Sequence, residues 1–410
     1  MRLCIRLMVG MREQKITCGS IAANRAAHVN KAQTYDVAVI GAGVFGAWTA
    51  YTLGQRGRKV ILLDAHGPAN ARASSGGESR IIRMGYGPDE LYARWSIRAL
   101  ELWSEFLRGR QEKLFHRTGV LWMAERGDRY VASALEVLTR LQVAIEQFSQ
   151  EQLRTRYPQI NFDGVEWGFL ETQSGVLMAR RAVQAVVEAA IRNGVTYQPG
   201  TALPPTKTDP NTISTREGSR VNAGQFVYCC GPWLPTIFPD VLGGRIFPTR
   251  QEVFFFGTPA GSSQFCSPAM PTWIDLGSET YGMPELESRG FKIALDRHGP
   301  AFDPEDGRRV VSPESTAAVR ERLARRFPAL ADAPVVETRV CQYENTSNGD
   351  FLIDRHPEFE NVWLVGGGSG HGFKHGPALG EYVAKLLEGG ATEKRFSLAI
   401  KERVQRRAVF

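Results

Sequence analysis

The 410-residue sequence has only six cysteines, Cys4, Cys18, Cys229, Cys230, Cys266 and Cys341, with no CxxC and no regular spacing. Neither a zinc site nor a disulfide framework follows, so no metal is expected and a reducing compartment, the cytoplasm, is. No stretch reaches the ~18 apolar residues of a membrane span. There is no internal repeat, no low-complexity tract and no obvious linker. Net charge is also missing from most of the chain. Residues 1–30 hold five Lys/Arg and one Glu, and residues 391–410 hold six Lys/Arg and two acids. Each end is therefore +4, and against a total of +7 the stretch between them sums to −1. Positive charge confined to two ends is no argument for a nucleic-acid surface.

Hydrophobic content of 43% and charged content of 23% are ordinary for a globular protein. The length suggests two or three domains. Residues 1–33 are Arg-rich and nearly acid-free, as in some transit peptides, but lack a continuous apolar h-region, which argues against secretion. The expectation is a disordered basic leader or a start placed too early, with Met11 or a later residue the true beginning. Residues 393–410 read as a basic C-terminal tail.

What is present begins at residue 36. DVAVIGAGVFGAWTAYTLGQRGRKVILLD, residues 36–64, reads as strand, Gly-rich turn, helix, second strand and terminal acid. Gly41, Gly43 and Gly46 stand at GxGxxG spacing. The first glycine permits the tight turn, the second lets backbone N–H groups approach a pyrophosphate, and the third lets the helix pack close to the strand. Ala47, Ala50 and Leu53 continue at helical spacing, and Gly57 is a C-cap before the strand 59–63. Asp64 follows Gly41 by 23 residues, where a carboxylate can accept hydrogen bonds from ribose hydroxyls. The unit predicts dinucleotide binding.

Further along, Leu91, Trp95, Ala99, Leu102 and Phe106 give a helical stripe. Residues 118–124 and 164–171 look like strands around a charged helical stretch, and 182–193 like a helix closed by Gly194. Residues 226–230 form a buried strand stopping at Gly231-Pro232-Trp233. The segment 241–335 is strand-rich and punctuated by Pro and Gly. Near the end the opening theme returns: an apolar strand at 361–365, the turn Gly366-Gly367-Gly368-Ser369-Gly370-His371-Gly372, and a helix over 377–387. Two Gly-rich strand-to-helix turns, one near each end, predict an α/β fold. A Rossmann-like nucleotide-binding domain is built from separated segments, 34–118, 172–240 and 336–392. A second, α+β domain with an antiparallel sheet, 119–171 and 241–335, is inserted between them.

After Asp64 comes Ala73-Ser74-Ser75-Gly76-Gly77-Glu78-Ser79-Arg80-Ile81-Ile82-Arg83, with small and hydroxyl side chains that leave room for a ring system. Here the chain resembles the monomeric sarcosine oxidase and N-methyl-amino-acid oxidase group of the D-amino-acid-oxidase-like flavoprotein superfamily. The resemblance runs from about residue 35 to 390. It rests on the glycine fingerprint, SSGGESRIIR, Cys230-Gly231-Pro232-Trp233, YGMP at 281–284, FK at 291–292, C-x-Y at 341–343, DFLIDRHP at 350–357 and GGGSGHGFK at 366–374. It implies FAD rather than NAD and oxidation of a C–N bond.

The same resemblance assigns residues. Gly41, Gly43, Gly46, Asp64, Ser74, Ser75, Arg80, Gly368, Gly370, Gly372 and Lys374 are implied to hold the cofactor. Cys341, which on its own reads equally as a buried core thiol, is implied to attach it covalently. Arg83 and Lys374 are implied to hold a substrate carboxylate, with Arg80 close to the flavin; otherwise the arginines would pair with Glu78 or Asp89. Lys292 lies in an alternating strand pattern that cannot say which face is wet. The resemblance places it over the flavin, where a fixed cation helps O2 accept electrons. Tyr281 and Tyr343 match positions lining the substrate cavity. One position departs from the family: Asp296 stands where these oxidases carry histidine, which leaves sarcosine itself in doubt unless Arg297 pairs with the acid.

The reading is an FAD-dependent oxidase of a secondary amine or amino acid, giving an imine and H2O2. The partners are a small-molecule amine and O2. A dehydrogenase passing electrons to a quinone or carrier is the nearer alternative, against which Lys292 counts. A non-catalytic nucleotide-binding protein is the remote one, against which Arg83, Lys292, Cys341 and Lys374 all count.

Overall fold

A computed structural model describes residues 34–406, so the leader expected over residues 1–33, Cys4 and Cys18 lie outside the described residues. The apolar run at residue 36 forms the strand Thr34–Ile40, which ends at Gly41 with φ of 100°, a left-handed turn that favours glycine. The helix Val44–Gln55 follows, then the strand Val60–Asp64. Gly46 admits the helix to the strand end, since a Cβ there would lie 1.8 Å from the Gly41 carbonyl oxygen.

These strands belong to a seven-stranded sheet ordered Leu352–Arg355, Val362–Gly366, Arg220–Tyr228, Thr34–Ile40, Val60–Asp64, Thr196–Pro199, with Thr212–Ser214 pairing off Arg220–Tyr228. The pairings from Val362–Gly366 across to Thr196–Pro199 are all parallel. Helices Ala179–Arg192 and Gly376–Leu387 pack against Val44–Gln55, which explains why that helix is buried on nearly every side rather than amphipathic. The separated segments therefore meet in one sheet.

The second sheet has eight strands, in the order Val335–Thr346, Ile246–Phe256, Phe291–Leu295, Thr280–Met283, Thr272–Asp275, Val120–Ala124, Trp167–Glu171, Ile145–Ser149. Its pairings are antiparallel except where Thr272–Asp275 meets Val120–Ala124. The helix Pro313–Arg326 covers one face, capped by the Ser312 hydroxyl and opened by Pro313; it lies in the segment expected to be strand-rich. A small sheet pairs Gly175–Leu177 with Arg80–Ile82 and Phe115–His116.

One strand departs from expectation in a way that matters. Val335–Thr346 runs for 12 residues, so it crosses the boundary expected at 335/336 and holds Glu344 inside a strand, buried. Its partner is Pro248 on Ile246–Phe256. The long pairing with that strand carries Cys341, Tyr343 and Glu344 past the ends of the parallel strands. Residues 34–406 form one compact unit. Among the described residues no helix is long and apolar enough to cross a membrane.

Candidate active site

The loops following the parallel strands surround a cavity of about 590 Å³, the place where open α/β sheets bind ligands. Gly41, Gly43, Asp64, Ser74, Ser75, Arg80, Cys341, Tyr343, Glu344, Gly368, Gly370 and Gly372 all line it. Asp64 Oδ2 accepts the Ala42 amide at 2.6 Å and Oδ1 accepts that of His66 at 2.8 Å, so the acid buttresses the first turn as well as facing the cavity. The Val44 amide donates to Ser75 Oγ at 3.0 Å, tying the 3-10 turn Ser74–Gly76 to the start of the helix.

Arg80 reaches across to Cys341. Its Nη2 donates to Cys341 Sγ at 3.2 Å and to the Ser74 carbonyl at 2.8 Å. Burial opposes the guanidinium charge, but the neighbouring Cys341, Tyr281 and Tyr343 hold the Arg80 pKa above its ordinary value.

Lys292 points inward. It is 3% exposed, and its Nζ donates to the Ser79 carbonyl at 2.9 Å and the Ser79 hydroxyl at 3.1 Å. Burial, then the Arg80 charge, push its pKa well below the usual lysine range. The strand Phe291–Leu295 is covered on both faces, which is why alternation could not choose between them.

Arg83 and Lys374 form a second cluster. Both are buried, and both lie over the Tyr86 ring, with the Arg83 guanidinium 4.6 Å and the Lys374 ammonium 4.9 Å from its centroid. Lys374 Nζ donates to the His371 carbonyl at 3.0 Å. Burial and Arg83 lower its pKa well below the usual range, opposed by Glu171 and Asp296. Asp296 itself is pushed up to about 7 by burial, with Arg83 and Lys374, not Arg297, the cations that hold it down. Tyr281 pairs with Tyr343, and burial raises the Tyr281 phenol to about 12. Glu78 and Asp89 take other partners, Arg180 and Arg289 for the first and Arg395 for the second.

The family model described as FAD dependent oxidoreductase matches residues 36–386. The chain belongs to that family. It is 32% identical over 373 residues to the monomeric sarcosine oxidase of Bacillus sp. (strain NS-129), covering 89% of this chain and 95% of that protein. It is 30% identical over 365 residues to the N-methyl-L-tryptophan oxidase of Salmonella heidelberg (strain SL476), covering 87% and 95%. The fold is that of L-proline dehydrogenase from P. horikoshii, with a TM-score of 0.75 at 20% identity over 89% of this chain and 96% of the other.

The residues present fit the cofactor of this FAD dependent oxidoreductase. A Cβ at Gly41 would sit 2.5 Å from the Cys229 carbonyl oxygen, so the first turn can be built only on glycine. Ser74 Oγ and Glu344 Oε2 are buried without a hydrogen-bond partner, on residues that line the cavity. Such groups are costly unless a ligand satisfies them.

Three buried residues of the site escaped the sequence reading: Glu344, Glu171 and Tyr86. Glu344 Oε1 accepts the Gly368 amide at 3.2 Å, and burial pushes its pKa up to about 7. Only its place two residues after the C-x-Y motif's cysteine-proximal glutamine, beside Tyr343, hinted at a role.

Proposed function

We propose that the protein oxidises the C–N bond of a secondary amine or amino acid to an imine, which water then hydrolyses. FAD, when bound, would supply the two-electron chemistry, accepting one hydride equivalent from the substrate and passing its two electrons to O2, which with two protons gives H2O2. The observation that carries this reading is the pair of buried cations, Arg83 and Lys374, set over one tyrosine ring, with Lys374 next in the chain to Phe373 of the cavity wall. A fork and a point charge converging on one place suit a carboxylate.

In this reading Arg83 and Lys374 bind the substrate carboxylate and orient the C–N bond, so the chain's main contribution is positioning. Tyr281 and Tyr343 wall the same space. Gly41, Gly43, Gly46, Asp64, Ser74, Ser75, Gly368, Gly370 and Gly372 hold the cofactor, with Arg80 on the cavity wall in contact with Cys341. Covalent attachment through Cys341 is supported by the Arg80 contact at 3.2 Å and by the thiol's position on the cavity wall. Lys292 supplies the cation for O2. Asp296, adding an acid beside the carboxylate-binding pair, favours a substrate larger or more basic than sarcosine.

The division into a cofactor part, 34–118, 172–240 and 336–392, and a substrate part, 119–171 and 241–335, belongs to the same proposal, with the strand Val335–Thr346 common to both. A cytoplasmic location is supported by Cys229, Cys230 and Cys266, which are in no disulfide among the described residues.

The test is the visible spectrum of the purified protein, then of its acid-denatured, washed precipitate. Flavin absorbance retained in the pellet, lost in C341A, supports the covalent link. A panel of N-methyl and cyclic amino acids with peroxide detection then reads the activity. Bleaching by an amine with only slow recovery in air makes the protein a dehydrogenase, and a colourless protein that takes up no FAD refutes the reading.

A further inference from the structure

Glu171 ends the strand Trp167–Glu171 and is fully buried. Four neutral donors meet its two oxygens. The Met84 amide donates to Oε2 at 2.7 Å, the Gly85 amide to Oε1 at 2.9 Å and the Trp122 indole to Oε1 at 2.8 Å, while the Ser174 hydroxyl donates to Oε2. A buried carboxylate is costly to desolvate, and this one answers the cost with hydrogen bonds rather than with a cation in contact.

The donors are not scattered. Arg83 donates to the Gly85 carbonyl, and its guanidinium lies 5.1 Å from the Trp122 ring and 4.6 Å from that of Tyr86. Two of these three supports are therefore tied to Glu171. Gly85 makes the approach possible, since a Cβ there would sit 2.8 Å from Trp122 Cζ2 and 3.2 Å from Glu171 Oε1. The Glu171 charge also acts on Lys374, the other buried cation. A neutral side chain would close the Met84–Gly85 turn without placing an anion behind Lys374.

We propose that Glu171 is the positioning residue of the carboxylate-binding pair: by fixing Gly85 and the Trp122 indole it sets the Arg83 guanidinium, and its charge stands behind Lys374. The proposal rests on the reading of Arg83 and Lys374 as the carboxylate site.

The test uses E171Q and W122F holoenzymes with the N-methyl amino acid best oxidised by wild type and with its primary amide, which lacks the carboxylate. The expected result is a fall of about tenfold or more in kcat/KM for the acid, carried mainly by KM, with little change for the amide. Flavin content and the resting spectrum should stay as in wild type. A purely structural role would lower acid and amide alike. If E171Q does not keep its flavin, W122F, which leaves the carboxylate in place and removes one donor, decides. Undiminished preference for the acid in a flavin-loaded variant overturns the proposal alone. A wild type that oxidises no amine, or prefers the amide, overturns the underlying reading and this proposal with it.

Discussion

At Lys292, burial and the Arg80 charge act in the same direction, so the ammonium is held only against a strong tendency to lose its proton. A lysine is charged below its pKa, and that pKa is lowered. Reoxidation of the reduced enzyme by O2 is therefore expected to slow as pH rises, beginning well below the ordinary lysine range. K292M should slow this step by roughly 10²-fold or more and remove its pH dependence. Anaerobic bleaching by substrate should change far less; stopped-flow measurement separates the two. Glu344 supplies the opposite case. Its carboxyl is raised from 4.5 to about 7, so the folded state keeps a proton that the unfolded state gives up across that window. Stability from this group is complete below pH 4.5 and is lost as pH rises through about 7, a difference on the order of 3 kcal/mol. Urea midpoints should fall over this range, and E344Q should flatten the slope, leaving the part due to Asp296, which is raised in the same way. An unchanged slope would refute the assignment. The cations were legible because Arg83 and Lys374 stand in recognisable motifs. Of the acids, Asp296 stood out against its motif, but Glu344 and Glu171 did not, because a lone Glu in a strand gives no sign of which face is buried.

Among the elements, a close approach joins the first and last long helices. Gly376 and Gly380 lie four apart in the helix Gly376–Leu387, where a Cβ would meet Val44 Cγ2 at 2.6 Å and the Trp48 carbonyl oxygen at 2.8 Å. G380V forces the helices apart and is expected to cost about 1–3 kcal/mol. The second obligatory contact is the Asp275–Arg326 pair, 1% and 5% exposed, which ties the helix Pro313–Arg326 to the central strand Thr272–Asp275. Arg326 Nη1 also donates to the Asn161 carbonyl at 2.6 Å. R326M leaves a buried carboxylate and a carbonyl unsatisfied, an expected loss of about 3–5 kcal/mol in urea unfolding. A shift within error would show the pair to be dispensable. Both helices bear on legibility. The terminal one followed from its Gly-rich turn and Pro377, whereas Pro313–Arg326 lies in a segment whose Pro and Gly content masked its Ser312 cap. Likewise the β-run at 335 continues through Glu344 because Ile246–Phe256 pairs with it residue by residue, a tertiary fact that no local signal carries.

For the molecule as a whole, composition assigned residues 393–410 to a tail, yet over 393–406 the chain packs down. Local composition reports charge and not its partners. Arg395 forks to Asp89 at 3.0 and 2.5 Å and reaches Asp350 at 2.6 Å, with its guanidinium 5.2 Å from the Tyr92 ring. Phe396 is fully buried against Trp95, Tyr382 and Phe351. Lys401, 1% exposed, donates to Asn348 at 3.1 Å and to the Arg395 carbonyl at 2.7 Å. The groups so held lead to the cofactor cavity. The Tyr92 hydroxyl accepts the Phe351 amide at 3.0 Å, and Phe351 packs on Phe45, a cavity-lining residue of the opening helix. Truncation after residue 392 is therefore expected to act at a distance. It should lower the melting temperature and the flavin-loaded fraction of purified protein together. F396A alone should cost about 3–5 kcal/mol, whereas R395M, removing a half-exposed ion pair, should cost less. A truncated chain that melts with wild type and carries a full complement of flavin would mean that the C-terminal segment merely covers the fold, and that the path from Phe396 through Tyr92 and Phe351 to Phe45 does not support the site.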